Sequence, residues 1–401
     1  MRMTPLIAVF VAAFLMRLIF NVYVMGIDDA GIERFPDGKD YDELALALAG
    51  GTGYEINQSP NTFRPPGYPF FLAAVYALAG HSYAVVKVLQ SLIGALTSIL
   101  VVLIGERLFS KRTGAIAGAI AAVYPFLILY SGFLLSETLF VFLSMVFLYM
   151  LIRLRGNWTW WGVALAGLVL GLMNLTRPVA LLLPGLLFFW LWGELGVKRR
   201  AAMIAGLLAL WMLVPIIPWT VRNYVATQSF ILIDDHHWLG LHIGNNRTIM
   251  EMPDKIGGWL EPALVEGSRD SFRAADYRAS YFSFMREMLQ RPLDLLRLEG
   301  YKLMRFWSVV PTSSKTTPRD AVISIFSYGL LLPLALLGVA LSFRNVEKPW
   351  LLIVWTLNFC LMSLIAFGST RFRAPVEPVL VLFGALAMER AWAAWAARGR
   401  A

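Results

Sequence analysis

The chain has 401 residues, of which 58% are hydrophobic and only 15% charged, with a mean hydropathy of +0.64, which excludes an ordinary soluble domain. In a soluble chain the formal charge of +9 would suggest nucleic acid; in a membrane protein it first reports lysine and arginine on the cytoplasmic side, so no nucleic-acid partner is expected. The single cysteine, Cys360, excludes an internal disulfide and a cysteine metal cluster, and reads as a packed small residue.

Apolar runs lie near 5–25, 84–105, 114–130, 137–152, 160–175, 179–193, 203–219, 320–342, 350–367 and 376–395. A hydrocarbon core about 30 Å thick takes roughly 20 helical residues, so these read as about ten transmembrane helices. The first begins after Met1-Arg2, contains Arg17 and shows no small-residue cleavage site, which marks an uncleaved span and not a signal peptide. A further run, Gly67 to Gly80, suits an interfacial or re-entrant helix better than a crossing. If it does not cross, the connections ERLFSKRTG, RLRGNW, GVKRR and FRNVEK and the tail RAWAAWAARGR share the side of Arg2, which the positive-inside tendency makes cytoplasmic. If it did cross, the clusters SKR and VKRR would face outward. The expectation is an all-α polytopic protein of the plasma (inner) membrane with both termini cytoplasmic. No internal repeat is visible, which weighs against a transporter built from two halves.

The outer side then receives loop 26–66, the joints 131–136 and 176–178, loop 220–319 and the joint 368–375. Loop 220–319 opens with PWTVRNY and passes the turn-rich GNNRT and DKIGG. It then becomes helically periodic in SFRAADYRASYFSFMREML, and Pro292 opens a second amphipathic stretch, PLDLLRLEGYKLMRFW. It reads as a cap of short helices. The organisation is thus a transmembrane module 1–219 including outer loop 26–83, an extracytoplasmic region 220–319, and C-terminal transmembrane helices 320–401.

Five arginines stand on the outer side against the charge bias: Arg64 in FRPPGYP, Arg177 in LTRP, Arg222 in WTVRNY, and Arg371 and Arg373 in RFRAP. An arginine well inside a span costs about 2.5–3.5 kcal/mol on insertion scales, and one at the edge costs less by snorkelling to the headgroups. Converging on one cavity, the five would suit a lipid phosphate, which guanidinium grips through paired hydrogen bonds. Acids collect on the same side. Asp37, Asp40, Asp42 and Glu43 lie in FPDGKDYDELALALAGG. Asp40 and Glu43 have capping-box spacing before the periodic Tyr41, Leu44, Ala45 and Leu48, with Gly50 or Gly51 as the stop. Asp40 therefore reads as a cap, and Asp37, in an Asp-Gly turn ahead of that helix, stays free to act as a base. Glu137, behind Ser136 as cap, favours a helix N-terminus, yet a carboxylate at membrane depth is a functional candidate. Pro65 and Pro66 hold Arg64 on an extended, stiff segment. His236, His237 and His242 resemble a metal cluster only in density, and no metal site is expected there.

These motifs together resemble the GT-C glycosyltransferases of the protein O-mannosyltransferase and aminoarabinose transferase superfamily. The resemblance rests on Asp37 to Tyr41 followed by LALALAGGTGY, on Arg64-Pro65-Pro66 opening a membrane-surface helix, on Glu137 in LSETLF, and on LTRP, PW..RNY and the late RFRAP. It implies transfer of a hexose or pentose from a polyprenyl-phosphate donor to an extracytoplasmic glycolipid, polysaccharide or protein acceptor, with inversion. Asp37 would be the catalytic base or the acid that binds the acceptor, with Asp40 as its fallback and Glu137 organising the site. Arg64 would bind the donor phosphate, joined by Arg371 and Arg373 and flanked by Arg177 and Arg222; Tyr41, Tyr68 and Asn245 are the candidate substrate-binding residues. A divalent cation between Asp37 and Glu137 stays open, because two oxygen ligands do not define a site. The alternative is a polyprenyl-phosphate-linked lipid transporter or flippase, which predicts ionisable residues deep in spans, as Arg17 and Lys87 are.

Overall fold

The computed structural model describes residues 3–260, 274–311, 316–343 and 349–398. Arg2, Ser271 to Arg273 of the first periodic stretch, residues 344–348 of the FRNVEK connection and residues 399–401 of the tail lie outside these. The protein is all-α apart from one two-stranded hairpin among the described residues.

Helix α1 (Met3–Ile19) continues as a π-turn to Val24. The first long loop follows, with α2 (Asp37–Ala49), the hairpin β1 (Glu55–Ile56) and β2 (Ser59–Pro60), and α3 (Gly67–Ala79). Next come α4 (Tyr83–Leu108), α5 (Lys111–Val123), α6 (Pro125–Leu129), α7 (Glu137–Leu154), α8 (Trp160–Thr176), α9 (Leu183–Leu195) and α10 (Lys198–Thr227). A cap of short helices holds α11 (His236–Gly244), α12 (Arg247–Glu251), α13 (Ala274–Leu289) and α14 (Pro292–Phe306). The chain then returns through α15 (Pro318–Ser324), a π-turn, α16 (Leu330–Ser342), α17 (Trp350–Ile365) and α18 (Glu377–Arg398).

Each of the ten apolar runs forms helix, but not all to full span length. Six segments are long and apolar enough to cross a bilayer singly: Pro5–Val24, Tyr83–Leu108, Glu137–Leu154, Lys198–Thr227, Pro318–Ser342 and Glu377–Arg398. A seventh joins α5 to residues 125–132 through a 51° bend, where Pro125 forces Tyr124 out of helix. Helices α8, α9 and α17 have 17, 13 and 16 residues, short of the roughly 20 expected of a straight crossing. Pro178 ends α8 early, and the turns that follow delay α9 to Leu183. Helix α3, with 13 residues, is too short to cross and packs Tyr68, Leu72 and Tyr76 against Tyr41 and Ala45 of α2. The outer loop expected from residue 220 begins later, because α10 runs on to Thr227.

The core is aromatic where α7 meets α17, with Phe140 edge-on to Phe359 at 6.2 Å and Phe359 against Trp355 at 5.2 Å. Elsewhere glycine lets backbones touch: a Cβ on Gly338 of α16 would meet the Phe383 carbonyl oxygen of α18, so only glycine fits. The two deep cations donate to backbone oxygens, although the buried Arg17 Nε keeps no partner. Arg17 donates to the carbonyls of Ala13, Ala121 and Ala122, and Lys87 donates to Gly26 at 2.7 Å. The cap buries its own small core of Leu239, Ile243, Ile249, Phe284 and Leu298.

Candidate active site

One chain of ion pairs at one end of the helix bundle joins six side chains from five parts of the sequence. Arg64 Nε donates to Asp40 Oδ2 at 2.8 Å, and its Nη2 donates to Asp37 Oδ1 at 2.9 Å. The other Asp37 oxygen, Oδ2, accepts from Arg371 Nη1 at 2.9 Å. Arg371 then reaches Glu137 Oε1 through Nε at 2.7 Å and Nη2 at 2.6 Å, and Arg177 Nη1 lies 2.9 Å from that same oxygen. Three guanidinium groups thus alternate with three carboxylates. Glu137 is buried, while Asp37, Asp40 and Arg371 keep roughly a third of their side-chain surface open.

Local sequence explains each position. Helix α2 begins at Asp37, with Pro36 as a cap that makes no side-chain bond, so Asp37 and Asp40 stand one turn apart on one face. That corrects two expectations: Asp40 is not a capping residue, and Asp37 is the first helical residue, not part of a preceding turn. Pro36, with φ fixed near its helical value, starts the helix four residues early, and Gly50 and Gly51 close it as expected. The Arg64 arm is held rigid by Asn61, whose Oδ1 accepts from the backbone of Phe63 and Arg64, each at 3.1 Å. Tyr54 Oη donates to the carbonyls of Arg64 and Pro65 at 2.8 and 3.1 Å. Gly67 follows because α3 meets the end of α8 there: a Cβ would lie 2.6 Å from Thr176 Oγ1. This close approach brings the arm beside Arg177. Glu137 opens α7, but Ser136 makes no side-chain cap; its hydroxyl accepts from Arg177 at 3.3 Å instead.

Burial alone would raise the Asp37 carboxyl, but the charges of Arg371 and Arg64 outweigh it and hold it well below the usual carboxylate range. Asp37 is therefore ionised and held from both sides. The two acids that could share a cation, Asp37 and Glu137, are bridged by the Arg371 guanidinium. Among the described residues no three His, Cys, Asp or Glu side chains gather as a metal site.

The sequence model of the dolichyl-phosphate-mannose-protein mannosyltransferase family matches residues 63–219. Among solved structures, ArnT from Cupriavidus metallidurans bound to undecaprenyl phosphate superposes with a TM-score of 0.65 at 16% identity, over 96% of this chain and 60% of that one. The Archaeoglobus fulgidus oligosaccharyltransferase AglB, in complex with an inhibitory peptide and a dolichol-phosphate, gives 0.58 at 15% identity, over 96% of this chain and 50% of that one. Its apo form gives 0.58 at 17% identity with the same two coverages. The chain has the GT-C fold. It spans 60% of the ArnT structure and half of the oligosaccharyltransferases. No curated protein matches it. Within this GT-C chain the family match contains Arg64, Glu137 and Arg177 and excludes Asp37 and Arg371.

Four of the candidate residues stand apart from the ion-pair chain. Arg373 is buried in a pair with Glu377 at 2.6 Å, donates to the carbonyls of Phe306 and Ser308 at 2.9 Å each, and lies over the Tyr328 ring. Buried to 1% exposure among these partners and away from the Asp37 pair, it is not positioned for phosphate. Arg222 supports the arm from behind, donating to the carbonyls of Asn61 and Tyr54 between the rings of Tyr54 and Trp219. Tyr68 is fully buried and donates to Gln90 Oε1 at 2.8 Å. Asn245 is buried too, pinning the cap to the end of α17 through Ile365 and Ala366 and accepting from Lys302. Tyr41 does lie at the site, buried beneath Arg64 with the guanidinium carbon 5.5 Å from its ring centre.

Sequence reasoning missed two groups beside the arginines. Phe35, whose ring centre lies 5.5 Å from the Arg371 guanidinium carbon, adjoins Pro36 and carries no signal of its own. His236 was weighed only as a metal ligand; it sits edge-on to Phe63 at 4.2 Å, next to Arg64. Burial, with the nearby Arg64 charge, pushes its imidazole down to about 4.

Proposed function

We propose that the chain is a membrane glycosyltransferase that moves a hexosyl or pentosyl group from a polyprenyl-phosphate donor to an extracytoplasmic acceptor. The observation that carries this reading is the flanking of Asp37 by Arg64 and Arg371, which reach one carboxylate from elements more than three hundred residues apart in sequence. The dolichyl-phosphate-mannose description of the matched family, and the lipid phosphates bound to ArnT and AglB, support it. The chain would lie in the plasma membrane with its termini cytoplasmic and this end of the bundle outside.

In the reaction, Asp37 accepts the proton of the acceptor hydroxyl as its oxygen attacks the anomeric carbon, and the carbon–oxygen bond to the lipid phosphate breaks on the opposite face. The configuration inverts. The departing electron pair stays on phosphate oxygens faced by Arg64 and Arg371, where preorganised cations in a partly dry site stabilise charge best. Glu137, buried behind Arg371, orients that guanidinium, and Arg177 balances it. An entering phosphate competes with Asp37 for both arginines. Donor binding thereby loosens the grip that keeps Asp37 a weak base, and couples its basicity to the presence of the donor.

Asp37→Asn tests this, measured as transfer from a polyprenyl-phosphate sugar alongside titration with the bare polyprenyl phosphate. Transfer should fall by about 10²–10⁴-fold, the usual worth of a general base, while the phosphate still binds. Retained turnover would remove Asp37 as the base. Lipid movement across vesicles with no glycosidic product would favour a flippase.

A further inference from the structure

Five aromatic rings form an arc over the outer face of the site, and its ends adjoin the two arginines that flank Asp37. Phe63 precedes Arg64, and its ring centre lies 4.2 Å from that of His236 at the start of α11. His236 stacks at 6.4 Å on Trp259, which meets Phe367 edge-on at 5.1 Å. Phe367 lies 4.9 Å from Phe372, the residue after Arg371. The arc thus runs from one phosphate-facing arginine to the other through three separate loops and α11.

Its parts are anchored by polar bonds. The Asp235 amide donates to the Thr62 carbonyl at 3.0 Å and Thr62 Oγ1 donates to Asp235 Oδ2 at 3.0 Å, fixing α11 to the Arg64 arm. The Gly368 amide donates to the Gly257 carbonyl at 2.7 Å, fixing the Trp259 loop to the Arg371 segment, and Arg305 donates to the Ile256 carbonyl at 2.6 Å, fixing the same loop to α14. Gly257 has φ +72°, a left-handed turn that a side chain would strain, and its missing Cβ leaves room for Tyr301 and Lys302. A rigid platform results, in which Trp259 keeps 40% of its surface open while His236 Nδ1, buried within the arc, has no hydrogen-bond partner.

Exposed indole on a rigid frame beside an unpartnered ring nitrogen is the chemistry of sugar recognition. The apolar C–H face of a pyranose lies on the aromatic plane, and one polar group reads a hydroxyl. We infer that this arc binds the sugar of the lipid-linked donor, with Trp259 stacking on its ring and His236 taking a hydroxyl hydrogen bond. The donor's sugar is favoured because it hangs directly from the phosphate that Arg64 and Arg371 would hold, and both arginines are chain neighbours of the arc. This rests on the proposed glycosyltransferase reading.

The test compares the affinity of the full-length protein for undecaprenyl phosphate with that for undecaprenyl-phosphate-linked mannose, glucose and galactose. Wild type should bind at least one glycosylated lipid about fivefold to tenfold more tightly than the bare phosphate, the scale of one good aromatic contact. Trp259→Ala should erase that preference while bare-phosphate affinity stays within about twofold on the same scale, and Trp259→Phe should keep most of it. His236→Phe, which preserves the ring packing, should narrow discrimination among the three sugars. A thermal melt matching wild type confirms that each variant is folded. A preference that survives Trp259→Ala, or no preference in wild type that still binds the bare phosphate, overturns the platform. Wild type that ignores the bare phosphate overturns the glycosyltransferase reading itself, and the platform with it.

Discussion

Arg371 and Arg373 are two residues apart in a short 3-10 turn, Thr370–Arg373, and that spacing turns them in different directions. Arg371 meets Asp37 and Glu137; Arg373 meets Glu377 one helical turn later. Their substitutions should therefore separate binding from stability. Arg371→Gln should weaken binding of the bare phosphate by at least about tenfold, the range for losing one charged hydrogen-bond donor, with folding retained. Arg373→Met strands Glu377 in the core and should cost about 3–5 kcal/mol of stability, read as a lower melting temperature. Adding Glu377→Met should restore much of that loss, because the stranded charge and not the missing pair is the penalty. The sign of the pH dependence follows from Asp37. Its folded value is depressed, so its contribution is complete above the unfolded value of about 4 and fades as pH falls below that toward the folded value. The difference in melting temperature between wild type and Arg371→Gln should hold from pH 7 to 5 and narrow only below about pH 4. Narrowing already at pH 6 would show that Asp37 is not held down by its arginines.

At the scale of elements, the arm that carries Arg64 depends on a glycine contact. Gly67→Ala should push α3 off α8, since the new methyl would sit 2.6 Å from Thr176 Oγ1. Overpacking of this kind costs about 1–3 kcal/mol, and it should weaken phosphate binding at the same time because Arg64 and Arg177 part. A stable Gly67→Ala protein with wild-type phosphate affinity would mean that the arm is positioned without that contact. The sequence makes some of this legible. Apolar runs declare helices, since a bilayer leaves the backbone few other ways to satisfy its hydrogen bonds. They do not declare length, because Pro125, Pro178 and the turns after it set where helices break. Arg64, Arg177 and Arg371 were readable as arginines placed against the expected charge bias, and Asp37 and Glu137 as acids gathered on the same side of the chain's expected topology. Arg222 shares that placement, but it and Asn245 spend their donors on carbonyls that only tertiary structure supplies. Arg373 could have been separated in advance, for Glu377 stands four residues on, the spacing of a helical ion pair. Trp259 had no such signal, since its neighbours in the arc come from distant segments.

For the whole molecule, the arrangement makes a geometric demand that orientation must meet. Ion pairs unite the α1–α4 loop, the start of α7, the end of α8 and the α17–α18 joint, so those ends share one side of the bundle. The opposite ends carry Lys111, Arg112, Arg153, Arg155, Lys198, Arg199 and Arg200. Positively charged connections stay cytoplasmic, so the site should open to the outside. The lone cysteine allows a direct measurement. In a Cys360→Ser background, Ser59→Cys, on the exposed hairpin beside the Arg64 arm, should react with a membrane-impermeant maleimide on intact cells. Arg199→Cys, exposed at the start of α10, should react only after the membrane is opened. The reverse pattern would turn the site to the cytosol and remove the case for an extracytoplasmic acceptor. The ion-pair chain and its affinity for phosphate would stand unchanged, because they depend on which helix ends meet and not on which side of the membrane they face.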